Sequence, residues 1–258
     1  MATRAPRAQS PLAAYVLHHY DWSESSLILD LFTRDQGRLA VAAKGAKRPH
    51  SQLRSVLLPF QRVLVSLGRQ ASAESASEVQ TLRTAEWAGG AAMLTGAALF
   101  SGFYVNELLM KLLARHDPHP ALFDAYAASL PALATSDETQ AQAALRAFEL
   151  TLLREIGVLP DLSLVTLTQQ AVTEDQRYAL LPEAGVAAPR NGEVDVGGAT
   201  LIGLQAALEH GSLAALWQAC AGALPELKSI LRTLLHYHLG SSVLRTRQVM
   251  LDLQNLER

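Results

Sequence analysis

Apolar residues change their spacing once along this chain, and that change limits the folds open to it. Up to about residue 80 they fall in five strand-length segments: Ala13 to Tyr20, Leu27 to Thr33, Arg38 to Ala43, Gln61 to Leu67, and Glu78 to Arg83. Between the second and third stands Arg34-Asp35-Gln36-Gly37. Gly37 can take a positive φ there without steric cost and close a hairpin. Seventeen residues, Lys44 to Phe60, join the third and fourth segments. Ser51 to Leu58 can form one short helix in this linker before Pro59 ends it. Five short strands with a helical excursion between the third and fourth match the partly open barrel called an OB-fold. An SH3-like barrel is the competing topology.

From Glu86 onward the apolar runs reach helix length, with breaks at Asp117-Pro118, Pro131, the Thr135 to Glu138 cluster and Gly157. Two long helices are expected before Pro118. In Ala141 to Ile156, Leu145, Phe148, Leu152 and Ile156 share one face, which leaves Arg146, Glu149 and Arg154 toward its margins. Gly157 caps that helix. Pro160 to Thr200 is rich in proline and glycine, with β-branched residues at Val165 to Thr168 and Val194 to Val196. This stretch is an irregular insertion with a hairpin or two. Helix returns in Leu224 to Leu239 and Arg245 to Leu256, divided by Gly240-Ser241-Ser242. The expected class is therefore α+β: an N-terminal five-stranded OB-fold barrel over residues 1–83, then a mainly α-helical domain over 84–258 with an irregular insertion at about 160–200.

Charge divides the chain in the same way. Arg34 to Arg69 holds eight Lys/Arg (Arg34, Arg38, Lys44, Lys47, Arg48, Arg54, Arg62 and Arg69) against one acid, Asp35, in a chain whose formal net charge is -2. Residues 1–80 carry ten basic and six acidic side chains, and residues 81–258 carry twelve and eighteen. Opposite signs suggest different partners for the two parts. A basic run with small residues between its charges, as in Ala43-Lys44-Gly45-Ala46-Lys47-Arg48, lets backbone approach a phosphate. Aromatic interleaving is thin. Tyr15, Tyr20 and Trp22 are available, while Phe32 and Phe60 have the pattern of core residues. Sequence-tolerant binding to the nucleic-acid backbone fits better than base-by-base stacking.

Other chemistries find little support. The single cysteine, Cys220, leaves no internal disulfide or Cys-rich zinc site, as suits a reducing cytoplasm. It reads as a small buried residue. The pairs His18-His19, His116 with His119, and His236 with His238 do not converge on one ion at strand or helix spacing. No metal site is expected. Gly-x-Ser-x-Gly, phosphate-loop and dinucleotide-loop patterns are missing, so the chain is read as no enzyme and as needing no cofactor. The twenty uncharged residues from Trp87 to Asn106 have bilayer-spanning length, but Gly89, Gly90, Gly96 and Gly102 among alanines favour a buried core helix over a membrane span. Met1 to Pro11 has no apolar stretch of the kind a signal peptide needs.

The pattern Tyr15-Val16-Leu17, Trp22-Ser23-Glu24-Ser25-Ser26-Leu27, Leu31-Phe32-Thr33, Gly37, Ala43-Lys44-Gly45-Ala46, Leu57-Leu58-Pro59-Phe60 and Thr81-Leu82-Arg83-Thr84-Ala85-Glu86 resembles the RecO family of bacterial DNA repair proteins. The likeness continues through Tyr104-Val105-Asn106-Glu107-Leu108-Leu109, Leu145-Arg146-Ala147-Phe148-Glu149-Leu150 and Leu239-Gly240 with Leu244-Arg245-Thr246-Arg247. It implies an OB-fold joined to a helical domain. It also implies a cytoplasmic, nucleoid-associated recombination mediator that binds single- and double-stranded DNA and anneals complementary strands without ATP. The partners implied are RecR and single-stranded DNA-binding protein (SSB), and indirectly RecF and the recombinase RecA. Some family members carry a cysteine zinc module in the region matching Pro160 to Thr200; this chain has no cysteine there. A general OB-fold nucleic-acid-binding protein without a recombination role is the alternative, and a hydrolase is a more distant one.

Six residues are the expected nucleic-acid contacts: Arg34, Arg38, Lys44, Lys47, Arg48 and Arg54. SSB ends in an acidic tail with a terminal aromatic residue, so its docking site should pair an apolar groove with a cation. Arg146 is the candidate cation. Its alternative is an exposed partner for Glu149.

Overall fold

The structure is a computed structural model that describes residues 10–68, 79–89, 93–240, 244–246, 248–249 and 252. Alternation of apolar and polar positions drives five strands to curl around one core. These are β1 (Leu12–Asp21), β2 (Leu27–Thr33), β3 (Gly37–Ala43), β4 (Arg62–Leu67) and β5 (Val79–Trp87). They close a barrel in the order β1-β2-β3-β5-β4, with β3 and β5 parallel and the other neighbours antiparallel. The OB-like barrel expected from the sequence is the one observed, and the SH3-like alternative gives way to it. The short helix α1 (Leu53–Val56) lies in the linker after β3. The fifth strand runs beyond Arg83 to Trp87; Glu78, placed at its start from the sequence, lies outside the described residues.

Inward positions repeat every second residue: Ala14 and Val16, Leu29 and Leu31, Leu39, Val41 and Ala43, then Val63, Val65 and Leu67. A bulge between Val16 and His18 shifts the β1–β2 register. Beyond it β1 turns from buried to exposed through His18, His19, Tyr20 and Asp21. β4 pairs β1 only over Leu12 to Tyr15, so the far half of β1 projects as a ribbon with β2. Gly37 has φ +67, and a Cβ there would stand 2.1 Å from the Asp117 carbonyl oxygen. That contact belongs to the segment Leu113–Pro120, which forms one compact unit with Met1–Met93.

The second unit comprises Leu94–Leu112 and Ala121–Arg258. Its elements are α2 (Gly96–Leu112), α3 (Pro120–Leu133), α4 (Glu138–Glu155), β6 (Arg177–Leu181), β7 (Gly185–Ala187), β8 (Asp195–Gly197), α5 (Gly198–Glu209), α6 (Leu213–Ala221) and α7 (Leu224–Leu239). Asp137 caps α4 by accepting the Gln140 amide, and Gly157 at φ +75 follows its end. α4 packs against α6 and α7, and α7 against α2. No helix among the described residues is long and apolar enough to cross a membrane.

Four sequence expectations need correction here. Among the described residues one long helix, α2, rather than two lies between Glu86 and Pro118, because β5 takes the chain as far as Trp87. Pro131 lies inside the last turn of α3 rather than before a break. The insertion carries the expected hairpin, β6–β7, which β8 extends to a sheet of order β7-β6-β8, but the strands of this sheet lie in part elsewhere than expected. Its centre is Arg177–Leu181, whereas Val165 to Thr168 form a turn. Lastly, Arg146 and Glu149 do not sit at the margins of α4: every residue from Ala143 to Leu153 is buried. The described residues within 245–252 are helical, and the remainder of the expected last helix lies outside them.

Candidate nucleic-acid interface and peptide cleft

The basic loop after β3 is held by hydrogen bonds to the turn between β1 and β2. In that turn the Trp22 and Ser23 amides both donate to the Ser26 carbonyl, each at 3.3 Å. Gly45 N–H donates to Ser26 Oγ at 3.3 Å, and Lys47 N–H donates to the Ser25 carbonyl at 3.0 Å. Lys47 Nζ then donates to the Ser23 carbonyl at 3.2 Å and pairs with Asp21 at 3.1 Å. Ala46 is buried beneath and anchors the loop in the barrel core. Gly45, at φ +73, faces the Arg48 side chain. Lys44, Arg48 and Arg54 are exposed, as is His50. The exposed Lys44 and Arg48 on this pinned loop, with Arg54 on α1 beyond it, can meet phosphates without reading sequence.

The six expected contacts do not form one site. Lys44, Lys47, Arg48 and Arg54 gather after β3, where Ala43 pairs with Leu27. Arg34 lies at the opposite end of the β2–β3 hairpin, where Thr33 pairs with Gly37. Across these seven-residue strands the separation is about 20 Å. Arg34 pairs loosely with Asp35 at 3.7 Å. Arg38 departs furthest from expectation: it is buried, its Nε is 3.2 Å from Asp30 and its Nη1 donates to the Leu113 carbonyl at 3.2 Å. It fastens the Leu113–Pro120 segment to β3, aided by Arg115 at 3.8 Å from Asp30. Arg69 lies outside the described residues. Tyr15, expected to be available, is buried, and burial raises its phenol pKa. Phe32 and Phe60 are core residues as anticipated. Tyr20 and Trp22 are 48% and 56% exposed.

In the helical unit a cleft of about 380 Å³ opens between α2, α4, α7 and the segment at 244–246. Phe100, Leu145, Leu235 and Leu244 give it apolar walls, and Arg146, Lys228, Arg232 and His236 bring basic groups to it. No Asp or Glu lines it. Arg146 is buried among these walls, with Nη1 2.8 Å from Glu149 Oε2 and Nε without a hydrogen-bond partner. Tyr104 Oη donates to the other Glu149 oxygen at 2.6 Å. Burial pushes the Glu149 carboxyl above its ordinary value, against the lowering influence of Arg146 and Tyr104. The same burial, with Glu149 nearby, pushes the Cys220 thiol up to about 12, so this cysteine is inert packing on α6.

A carboxylate from α2 builds one wall. Glu107 accepts the Arg245 amide at 2.9 Å, the Thr246 amide at 3.0 Å and the Thr246 hydroxyl at 2.8 Å, and Lys111 lies 3.3 Å away. Burial favours the neutral acid, but those bonds outweigh it and hold the carboxyl below its ordinary range. Sequence reasoning singled out Arg146 alone of this group. Lys228, Arg232 and His236 recur every four residues along α7, a stripe visible in the sequence. Tyr104 and Glu107 carry no such signal, because their partners Glu149, Arg245 and Thr246 lie 45 or more residues away; Glu149 was legible only as the i,i+3 neighbour of Arg146. Among the described residues no three His, Cys, Asp or Glu side chains are grouped to hold a metal ion.

Residues 9–89 match the family described as Recombination protein O N terminal, and residues 93–248 match Recombination protein O C terminal. The DNA repair protein RecO of Polaromonas naphthalenivorans (strain CJ2) is 52% identical over 245 residues, covering 94% of this chain and 96% of that protein. That of Variovorax paradoxus (strain S110) is 52% identical over 253 residues with the same coverage. The DNA repair protein RecO of Paracidovorax citrulli (strain AAC00-1) is 49% identical over 261 residues, 98% of this chain and 100% of the relative. With both of its parts matched and half of its residues shared across nearly full length, the chain belongs to the RecO family of DNA repair proteins.

Proposed function

We propose that this chain is a DNA repair and recombination mediator that binds DNA on its barrel, anneals complementary strands without ATP, and takes the C-terminal tail of SSB in its helical cleft. The observation that carries this reading is the presence, in one chain of this family, of two different cationic sites. The loop bearing Lys44, Arg48 and Arg54 is exposed and suits phosphates of any sequence. The cleft around Arg146 is half open with mostly apolar walls and suits a short acidic peptide ending in an apolar residue and a free carboxylate.

Annealing follows from charge neutralisation. Two DNA strands repel, and cations on one surface lower that repulsion while raising the local strand concentration. Capture of the SSB tail would bring the barrel to strands that SSB covers. RecR is the expected partner for the step toward RecA loading, with RecF acting indirectly. In this scheme residues 1–83 hold DNA and residues 84–258 hold protein. No covalent step is required, so the chain acts as a binding protein rather than an enzyme.

The test is annealing of two complementary oligonucleotides precoated with SSB, with and without this protein and with no ATP. Acceleration that Arg146→Ala abolishes on coated strands but preserves on naked strands supports both halves of the scheme. Binding of naked strands with no acceleration would reduce the chain to a general OB-fold nucleic-acid-binding protein.

A further inference from the structure

We propose that Trp22 and Tyr20 form a base-stacking platform beside the basic loop, so that the barrel site prefers unpaired DNA over duplex. This deepens the DNA-binding reading of the Lys44–Arg54 loop and rests on it. Trp22 is 56% and Tyr20 48% exposed, a large aromatic area for two neighbouring residues to leave in water. Neither ring contributes to the barrel core. Tyr20 stands on the projecting half of β1, with the His18 ring edge-on at 4.5 Å, and His19 stacks on His18 at 5.9 Å. Trp22 follows in the turn whose Ser23, Ser25 and Ser26 hold Gly45 and Lys47. The aromatic turn and the basic loop therefore share one backbone scaffold.

Chemistry decides what such a pair would take. Lys44, Arg48 and Arg54 attract phosphates whether or not the bases are paired. Within a duplex each base face is already stacked on its neighbours. In a single strand the faces are free, and every base offers one, so a tryptophan can stack without sequence preference. The cations thus supply affinity common to both forms, and the two rings supply the difference. Pairing withdraws bases from Trp22, so annealed product is held by phosphate contacts alone and dissociates sooner than either strand.

The full-length protein would be titrated with an oligo-dT single strand and with a duplex of equal length, for the parent, Trp22→Ala, Trp22→Phe, Tyr20→Ala and Lys44→Ala/Arg48→Ala. Trp22→Ala should weaken oligo-dT binding about tenfold, the scale of one lost stacked base, and change duplex binding less than twofold. Tyr20→Ala should act in the same direction, and Trp22→Phe should keep most of the affinity. Oligo-dT should also quench indole emission in the parent, with the quench lost in Trp22→Phe, which retains Trp87 and Trp217. Since Trp22 lies outside the core, thermal melts of these variants should match the parent. If Trp22→Ala changes neither ligand, or both equally, while Lys44→Ala/Arg48→Ala weakens both, the platform is wrong and the DNA-binding loop stands. If the double variant alters neither ligand, the loop reading fails and takes the platform with it.

Discussion

The barrel and the helical unit each gather basic side chains and treat them in opposite ways. Lys44 and Arg48 stand in water on a loop fixed by its backbone, with Gly45 and Ala46 between them, and Arg54 stands in water on α1 just beyond it. Arg146 lies within the helical core, ion-paired to a Glu149 carboxylate that has no solvent exposure and that Tyr104 also holds. An exposed cation keeps its hydration until a ligand arrives, costs almost nothing to carry, and is screened by salt. A buried cation has lost its hydration during folding, so its geometry is set in advance and its loss damages the fold. The first arrangement suits a long, uniform polyanion and the second a short ligand with a single terminal charge.

Removing one charge from each region should separate them most sharply in stability. Glu149→Ala leaves the Arg146 guanidinium buried and uncompensated, and should lower unfolding free energy by about 3 kcal/mol in urea titrations. Lys44→Ala/Arg48→Ala should stay within about 0.5 kcal/mol of the parent. Similar losses for both would mean that the Arg146 pair is hydrated in solution and that the contrast is false.

Ligand binding gives the next largest difference. Arg146→Ala should weaken an acidic peptide with a free C-terminal carboxylate by about ten- to a hundredfold, the range for a charge-assisted hydrogen bond. The same peptide with an amidated C-terminus should bind both proteins alike, as isothermal titration would show. Equal losses for the two peptides would assign Arg146 to shaping the walls rather than to meeting the carboxylate.

Salt then sharpens the contrast. With three phosphate contacts from Lys44, Arg48 and Arg54, log affinity for a single strand should fall with log salt at a slope near about -2. Peptide affinity at the Arg146 cleft should fall less steeply, since the buried Arg146 charge is screened less. A slope near zero for the single strand would remove the loop from the interface.

How far these regions could be read in advance follows the range of the interactions that build them. The barrel strands were legible because Leu29, Leu31, Leu39, Val41, Val63 and Val65 face one core at period two, and a local pattern records a local cause. The burial of Arg38 is not legible, because its partner Asp30 stands across a β2–β3 register that alternation does not expose and Leu113 lies 75 residues away. Periodicity places Arg146 on α4 but at a helix margin, whereas it is buried. Periodicity describes one helix, and here α6 and α7 cover the side that it left polar. The insertion's strand content is legible at Val194 to Val196, where β8 lies, but the position of its central strand is not, because Arg177–Leu181 is short and the β-branched cluster at Val165 to Thr168 forms a turn.

The smallest effect concerns the wall of the cleft rather than its charges. Glu107 holds Arg245 and Thr246 through three hydrogen bonds, and Leu244 and Thr246 both line the cleft, so this carboxylate positions part of the peptide site. Its folded-state pKa lies below the ordinary 4.5, which means that the unfolded chain binds its proton more readily. The stabilisation from Glu107 is therefore complete above the unfolded value and is lost as pH falls through the depressed folded value. Glu107→Gln keeps one acceptor oxygen but no charge, and should cost about 1 kcal/mol at neutral pH. Thermal melts across the acid limb should show the gap between parent and variant closing as the parent's carboxylate takes up its proton. A gap that stayed constant with pH would show that Glu107 contributes shape alone, and the Arg146 cleft would then owe its wall to packing.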